Sequence, residues 1–347
     1  MKMLNEGVLV IGGGVAGMQA AIDIAASGRE VVLIEKDKNL GGHVKEYGAL
    51  FPDLTEGASL VGQKVRVIKS NPKITVLLGT EVSKLQKVDG LIKANYSNTG
   101  NPKEKIFSAA VIATGFENFD GKKYGEYGYG RFPGVITGID FEHQEEAVLK
   151  KPIQTAVFIK CVGSRDRSKG MPYCSKICCM YTAKQALELK KAQPKAQVYV
   201  FYMDIRSNFK NGEEFVRGVM ENQHVKYIRG RVGKVIPTNG RLLIRAEDTL
   251  MGVPLELEAD LVVLATAMVP SPNTPELVTQ VGGNLDNNGF IMPIPMTESE
   301  NPMSLTEGVF YAGACGFPCD VKDALNQGSA AAAGVLSYLQ SNRGAAK

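Results

Sequence analysis

The pattern Gly12-Gly-Gly14-Val-Ala-Gly17 limits the fold of this chain more than any other stretch, because of what flanks it. Val8 to Ile11 is uninterrupted apolar sequence, as in a strand buried on both faces of a parallel sheet. Met18 to Ala26 is alanine-rich and reads as a helix ending at Ser27-Gly28; Val31 to Ile34 is a second buried strand, ending at Glu35. Strand, glycine turn, helix and strand form one βαβ half of a doubly wound sheet. In a G-x-G-x-x-G turn, Gly12 permits the tight turn, Gly14 lets backbone approach a pyrophosphate, and Gly17 lets helix and strand pack closely. The helix amino terminus then offers free N–H groups to the anion, and Glu35 is placed to accept hydrogen bonds from a ribose. A glycine turn with no ligand is the blander reading, and the flanking strand, helix and acid weigh against it.

The rest of the chain repeats this grammar. At 347 residues there is room for two domains, and the 44% apolar and 22% charged content is that of a globular protein. Thr75 to Phe107 reads as a β-meander with turns at Asp89-Gly90 and Asn98 to Pro102; Ala109 to Ala113 is a strand ending at Thr114-Gly115. Residues 116–150 look like a crossover linker. A second βαβ pattern starts at Thr155 to Lys160, with a helix from about Cys178 to Lys191, a strand Gln197 to Met203 and a helix near Glu213 to Asn222. Leu261 to Ala265 and Gly308 to Ala312 read as strands returning to the first sheet. The last helix, roughly Ala324 to Leu339, is headed by Gln327-Gly-Ser329, and Ser341 to Lys347 reads as a frayed tail. The expected organisation is α/β: a discontinuous dinucleotide-binding domain, 1–150 and 251–347, with a domain of residues 151–250 inserted.

A formal charge of +4 with no dense Lys/Arg cluster gives no footprint for nucleic acid. The amino terminus runs almost directly into a strand without a secretory leader, and the longest apolar run, Leu261 to Val269, is far too short to span a bilayer. A cytoplasmic chain is expected, in which six cysteines stay reduced unless something ligates them.

Later motifs point to FAD rather than NAD in the first site. Gly41-Gly42, soon after Glu35, fits a second approach to a diphosphate. Ala113-Thr114-Gly115 and Tyr311-Ala-Gly313-Ala314 resemble the chain-returning motifs of two-dinucleotide-binding flavoproteins, which include thioredoxin and glutathione reductases, and Ala265-Thr-Ala267 looks like a second copy of the first. The resemblance implies a last helix whose amino terminus, here Gln327, Gly328 and Ser329, points at the flavin; a small-residue helix start chosen for packing is the alternative. The expected FAD contacts also include Val15, Ala16, Lys36 and Val82. His43 is either a contact to the diphosphate and its adjoining loop or a structural histidine; His143 and His224 carry no readable role.

Where such flavoproteins would bind NAD(P)H through a second glycine fingerprint, this chain has only Gly163 and Gly170. Instead it carries Cys161, Cys174, Cys178 and Cys179. Four soft ligands suit zinc or an iron–sulfur cluster. Adjacent Cys178 and Cys179 would strain one tetrahedral ion, whereas neighbouring thiolates can reach different irons of a cubane, so a [4Fe–4S] cluster is favoured; zinc and a buried or redox-active dithiol stay open. Arg165, Arg167, Lys169 and Lys176 are candidates to offset a cluster's negative charge, or a solvated basic loop.

Cys161-Val-Gly-Ser-Arg-Asp with Tyr173-Cys174-Ser-Lys-Ile-Cys178-Cys179-Met-Tyr-Thr-Ala-Lys184 resembles the signature of the A-type flavoprotein subunits of heterodisulfide reductases. Phe201-Tyr-Met-Asp204-Ile-Arg206, Gly212-Glu-Glu-Phe215 and Gly313-Ala-Cys315 agree with it. The resemblance implies four cysteines holding a [4Fe–4S] cluster beside FAD, and Lys184 near the flavin ring, a surface helix lysine being the alternative. It further implies a homodimer within a complex of heterodisulfide-reductase-like subunits. The additional ferredoxin-like cysteine sets of methanogen members do not appear, so the chain resembles the compact form of sulfur-oxidising bacteria, and a non-bifurcating electron-transfer role is expected. Two rivals remain. One is an NAD(P)H-dependent flavin disulfide or thiol reductase using Cys315 and Cys319, a pair that otherwise merely packs; the other is a cofactor-holding scaffold.

Overall fold

Val8–Ile11 is buried at every position and runs parallel to both neighbours, with Val8 opposite Val31 on one side and Ala109 on the other. A strand covered on both faces cannot alternate polar and apolar residues, which is why it reads as a continuous hydrophobic run. In this computed structural model, which describes residues 7–98, 100–299 and 301–344, that strand lies inside a six-stranded sheet. The strand order is Ser304–Thr306, Val309–Tyr311, Ala109–Ile112, Val8–Ile11, Val31–Ile34, Ile74–Leu77.

The chain divides into two compact units. The first comprises residues up to Glu46, Gly57–Glu117 and everything from Val269 on; the second comprises Tyr47–Glu56 and Asn118–Met268. Each has its own sheet built on parallel strands, the first with Ser304–Thr306 added antiparallel at one edge, and a three-stranded antiparallel meander. The first unit's meander is Thr80–Val88, Leu91–Asn98 and Asn101–Phe107, and the second unit's is Val232–Thr238, Arg241–Asp248 and Val253–Ala259.

The second parallel sheet has the order Lys226–Arg229, Gln197–Tyr202, Thr155–Val162, Leu261–Thr266, Val135–Thr137. Here the structure departs from the sequence reading. Leu261–Thr266 does not return to the first sheet; it runs parallel to Thr155–Val162, with Ala156 opposite Leu261 and Val157 opposite Val262. The stretch 116–150 also belongs largely to the second unit, because Val135–Thr137 pairs with Val262–Leu264 and two short helices follow it. The units therefore meet in sequence at 46/47, 56/57, 117/118 and 268/269 rather than at 150/151 and 250/251. Thr137 caps the helix Gly138–His143 with a reciprocal pair: its hydroxyl accepts from Asp140 N, while the Asp140 carboxylate accepts from Thr137 N. Such a box contributes about 1 kcal/mol to a helix end, and it orients Glu142 two residues on.

The last helix is longer than expected. It spans Val321–Gly344 and starts after Asp320, whose carboxylate accepts from Asp323 N at 2.8 Å; the tail beyond Gly344 lies outside the described residues. Among the described residues no helix is long and apolar enough to cross a membrane.

Candidate functional site

The glycine loop of the first unit is shaped by contacts a side chain would break. A Cβ on Gly12 would lie 2.2 Å from Ala113 O, and one on Gly17 would lie 1.9 Å from Gly12 O, so both positions are closed to any side chain. Gly14 differs: a Cβ there would meet nothing within 4 Å, so no protein atom explains the glycine. The space it leaves lies at the amino terminus of the helix Val15–Ala26, where backbone N–H groups lack intrahelical partners. Gly41 N donates to Gly13 O at 2.8 Å and places Gly42, at φ +53°, against Gly14. Glu35, buried at the end of its strand, accepts from Gly13 N at 2.6 Å through one oxygen and from Asp37 N at 2.8 Å through the other. Glu35 thus holds the loop, and each carboxylate oxygen keeps a lone pair for a ribose hydroxyl. This cradle fits a dinucleotide.

The remaining expected contacts lie around it in different ways. Val15, Ala16 and Val82 are buried, while Lys36 is exposed and 3.5 Å from Glu117. Ala113 continues the strand through a bond from its N–H to Ile11 O, Thr114 shares a 2.6 Å hydroxyl contact with Thr274, and Gly115 has a left-handed φ of +72°. His43 bonds the Phe116 carbonyl through Nε2 at 3.0 Å and packs on the Phe116 ring, which is the structural role. Gln327, Gly328 and Ser329 are two turns inside the last helix and do not head it. The Gln327 side chain accepts from Gly313 N at 2.9 Å, Gly328 abuts Ala16 O so that a Cβ would come within 2.5 Å, and Ser329 donates to Asp23. Ala314 is buried beside them. The helix begins earlier, at Val321, so these three residues lie within it and not at its head.

In the second unit, the strand Thr155–Val162 keeps register with Leu261–Thr266 as far as Ile159 opposite Leu264, then resumes with Val162 opposite Thr266. One extra residue is inserted between them, and Cys161 takes a left-handed φ of +61°. That conformation costs a residue with a Cβ about 1–2 kcal/mol and marks a bulge that re-aims side chains. In a regular strand Lys160 and Cys161 would face opposite sides of the sheet. Here both reach the same thiols: Cys161 bonds Cys178, and Lys160 bonds Cys179.

Cys178 and Cys179 open the helix Cys178–Ala192 and are buried, as is Cys161. The three sulfurs form a hydrogen-bonded chain, Cys161 to Cys178 to Cys179. Donation from Cys178 lowers the pKa of Cys179 and of Cys161, with help from Lys160, and the same bonds together with full burial raise that of Cys178. Cys174 is less buried; its sulfur accepts from Lys176 N at 3.3 Å and from the Arg206 side chain. Arg206 in turn donates its backbone N–H to Cys179 Sγ at 3.3 Å, so one residue joins Cys174 to the other three. The intervening loop is pinned by Arg165 N to Tyr173 O, by the buried Ser164–Ser175 hydroxyl pair at 2.6 Å, and by Tyr173 OH to Met268 O. Among the described residues no group of three or more His, Cys, Asp or Glu stands ready to hold a metal ion; the thiols form a chain and do not enclose a point. None of the six cysteines is in a disulfide.

These features have counterparts in known proteins. Residues 6–159 match the family described as pyridine nucleotide-disulphide oxidoreductase. The A-type iron-sulfur subunit of the CoB–CoM heterodisulfide reductase of Methanocaldococcus jannaschii is 29% identical over 96% of this chain and 64% of its own length. Its counterpart in the H(2):CoB-CoM heterodisulfide,ferredoxin reductase of Methanothermobacter marburgensis is 30% identical over 95% and 63%. The chain is homologous to the A-type subunits of heterodisulfide reductases. It spans just under two thirds of the length of these relatives. Among solved structures, thioredoxin reductase of T. acidophilum superposes with a TM-score of 0.67 at 17% identity, over 97% of this chain and 98% of that one. That of Lactococcus lactis gives 0.65 at 16%, over 97% and 99%. The fold is that of the two-dinucleotide-binding flavoproteins.

Compared with the sequence reading, three of the four loop cysteines adjoin one another and Cys174 is linked to them through Arg206, but the cations near them are different ones. Lys169 donates to Lys123 O and lies over the Tyr124 ring, and Lys176 lies over the Phe209 ring. Arg165 pairs with Asp204 at 2.7 Å. Lys160 and Arg206 are the residues whose charged side chains lie by the sulfurs, and sequence reasoning passed over both as cations. The available signal was a lysine closing an otherwise apolar strand, and an arginine in the Asp204-Ile-Arg206 stretch already noted. Lys184 is no surface lysine. It is 2% exposed, and its ammonium lies 2.7 and 2.8 Å from the two Glu142 oxygens and 3.1 Å from Glu188. Cys315 is fully buried, its thiol directed at the Ala312 and Ile112 carbonyls, and burial pushes its pKa up to about 11.

Proposed function

We propose that this chain serves electron transfer within a heterodisulfide-reductase-like complex, as an oxidoreductase carrying FAD in its first unit and a [4Fe–4S] cluster in its second. The observation that carries the reading is the convergence of Cys161, Cys178 and Cys179, with Cys174 joined to them through Arg206. FAD would be held by the loop Gly12, Gly14, Val15, Ala16 and Gly17, by Glu35 and Gly41-Gly42, and by Ala113 to Gly115 with Gly313 and Ala314. The open gap beside Gly14 supports this assignment. The four cysteines would supply the thiolates, and four soft ligands are the donor set such a cluster takes. When bound, flavin exchanges electrons singly or in pairs and the cluster exchanges them singly.

The proposed setting is a cytoplasmic homodimer within an assembly of such subunits, engaged in sulfur oxidation. The relatives' names as reductase subunits support the assembly. Six cysteines leave no second four-cysteine set within these residues, which supports a non-bifurcating route through this stretch. The rival is a nicotinamide-dependent disulfide or thiol reductase, favoured by the family match over residues 6–159. The high pKa and full burial of Cys315 speak against a reactive dithiol there.

Anaerobic purification followed by iron, sulfide and flavin analysis and an EPR spectrum after dithionite tests the reading. About four irons and one FAD per chain are expected. Zinc in place of iron, or a metal-free protein whose flavin is bleached by NADH, would overturn it.

A further inference from the structure

Lys160 is an unusual residue for its position. It belongs to the strand Thr155–Val162, whose positions from Ala156 to Val162 are all buried, and it is itself only 7% exposed. An ammonium taken out of water is costly unless an anion accompanies it. Its contacts are the face of the Tyr202 ring at 5.5 Å and the Asp204 carbonyl oxygen at 3.4 Å, the same oxygen that the Cys179 thiol faces at 3.9 Å. The bulge at Lys160-Cys161 makes the contact possible by letting adjacent residues approach one sulfur group.

Arg206 approaches the same group from the end of the neighbouring strand, with its backbone N–H on Cys179 and its side chain on Cys174. Its guanidinium is shared with the Asp204 carboxylate at 3.3 Å and is 46% exposed, so solvent and a counter-charge weaken its field. Asp204 therefore links three features. Its carbonyl oxygen receives Lys160, and its carboxylate receives Arg165 and Arg206.

We propose that Lys160, and more weakly Arg206, are positioning residues that raise the reduction potential of the group held by the four loop cysteines. This rests on the iron–sulfur reading above. The physical reason is charge: adding an electron makes a thiolate-ligated cluster more negative, and a cation buried against one of its ligands stabilises that reduced form selectively. The buried cation dominates the exposed one because little water screens it. Neutralising Asp204 acts in the opposite direction, by releasing two arginines from their counter-ion.

The test is an EPR-monitored redox titration of the anaerobically purified full chain and of Lys160→Met, Lys160→Arg, Arg206→Gln and Asp204→Asn, with iron and sulfide counted for each. Lys160→Met is expected to lower the midpoint by a tenfold or greater loss in preference for the reduced form, about 59 mV per tenfold for one electron. Arg206→Gln should shift it less in the same direction, Lys160→Arg should stay at the wild-type value, and Asp204→Asn should shift it upward. An unchanged midpoint in an iron-loaded Lys160→Met overturns the inference. If Lys160→Met loses iron, retention by Lys160→Arg supports the need for charge, and loss by both overturns it. Iron absent from the wild-type chain would refute the cluster itself, and the wild-type iron count distinguishes that failure from a failure of tuning.

Discussion

Gly14 and Gly42 meet backbone to backbone: a Cβ built on Gly42 would stand 3.2 Å from Gly14 Cα, whereas one built on Gly14 would meet nothing within 4 Å. The two glycines come from different turns and are brought together by the bond from Gly41 N to Gly13 O. One of them is glycine for a reason inside the protein, a left-handed φ of +53°. The other has an extended backbone, φ −68° and ψ 178°, that any residue adopts. No contact inside the protein accounts for its lack of a side chain.

Gly14→Val should therefore separate folding from cofactor binding. The flavin-free variant is expected to unfold in urea within about 0.5 kcal/mol of the flavin-free wild type, because a Cβ at this position meets no protein atom within 4 Å. Its flavin content after purification should fall to near zero. Gly17→Ala should do the reverse damage, costing about 1–3 kcal/mol, since its Cβ would collide with Gly12 O. Full flavin occupancy in Gly14→Val would show that the gap is not the path of the diphosphate.

Cys178 is the central sulfur of the chain Cys161–Cys178–Cys179, bonded on both sides. Cys178→Ser is expected to abolish the iron signal while the flavin spectrum of the other unit persists. Iron analysis and absorbance on one preparation check this. Loss of flavin with iron retained would contradict the ligand assignment.

Burial raises the pKa of Glu188 from the ordinary 4.5 to about 7, against the opposing pull of Lys184. Its Oε2 is 3.1 Å from the Lys184 ammonium but has no hydrogen bond aligned to it. The folded chain thus holds a proton that the unfolded chain has released between roughly pH 4.5 and 7, so this group favours folding at the acid end of that window. As pH rises through 7 that contribution is lost, up to about 3 kcal/mol by pH 8. Urea denaturation between pH 5 and 8 should show wild-type stability falling more steeply than that of Glu188→Gln. Parallel curves would mean that the carboxyl titrates normally.

With a pKa near 11, roughly one Cys315 side chain in a thousand is ionised at pH 8. Cys315 should resist a thiol reagent in the native protein and react only after unfolding, as counted by mass spectrometry of alkylated peptides. Cys315→Ala should leave flavin binding intact. Rapid native labelling of Cys315 would revive the dithiol reductase.

Much of this was legible because it is written in short-range patterns. The run Val8 to Ile11, the spacing of Gly12, Gly14 and Gly17, and the acid at Glu35 state their own geometry, since a turn that tight and a strand buried on both faces admit few residue types. The cysteine spacing likewise marked the loop whose thiols adjoin one another. Apolarity, however, says that a strand is covered without saying by what. Leu261 to Ala265 looked the same whichever sheet it joined, and only long-range pairing with Thr155–Val162 decided it. The last helix began well before its most patterned residues, because an aspartate at 320 could cap it, and so Gln327, Gly328 and Ser329 do not head it. The charge around the sulfurs was likewise settled in three dimensions. A one-residue bulge and the end of an adjacent strand brought Lys160 and Arg206 to the thiols, while Lys169 and Lys176, nearer in the loop, turned away to aromatic rings.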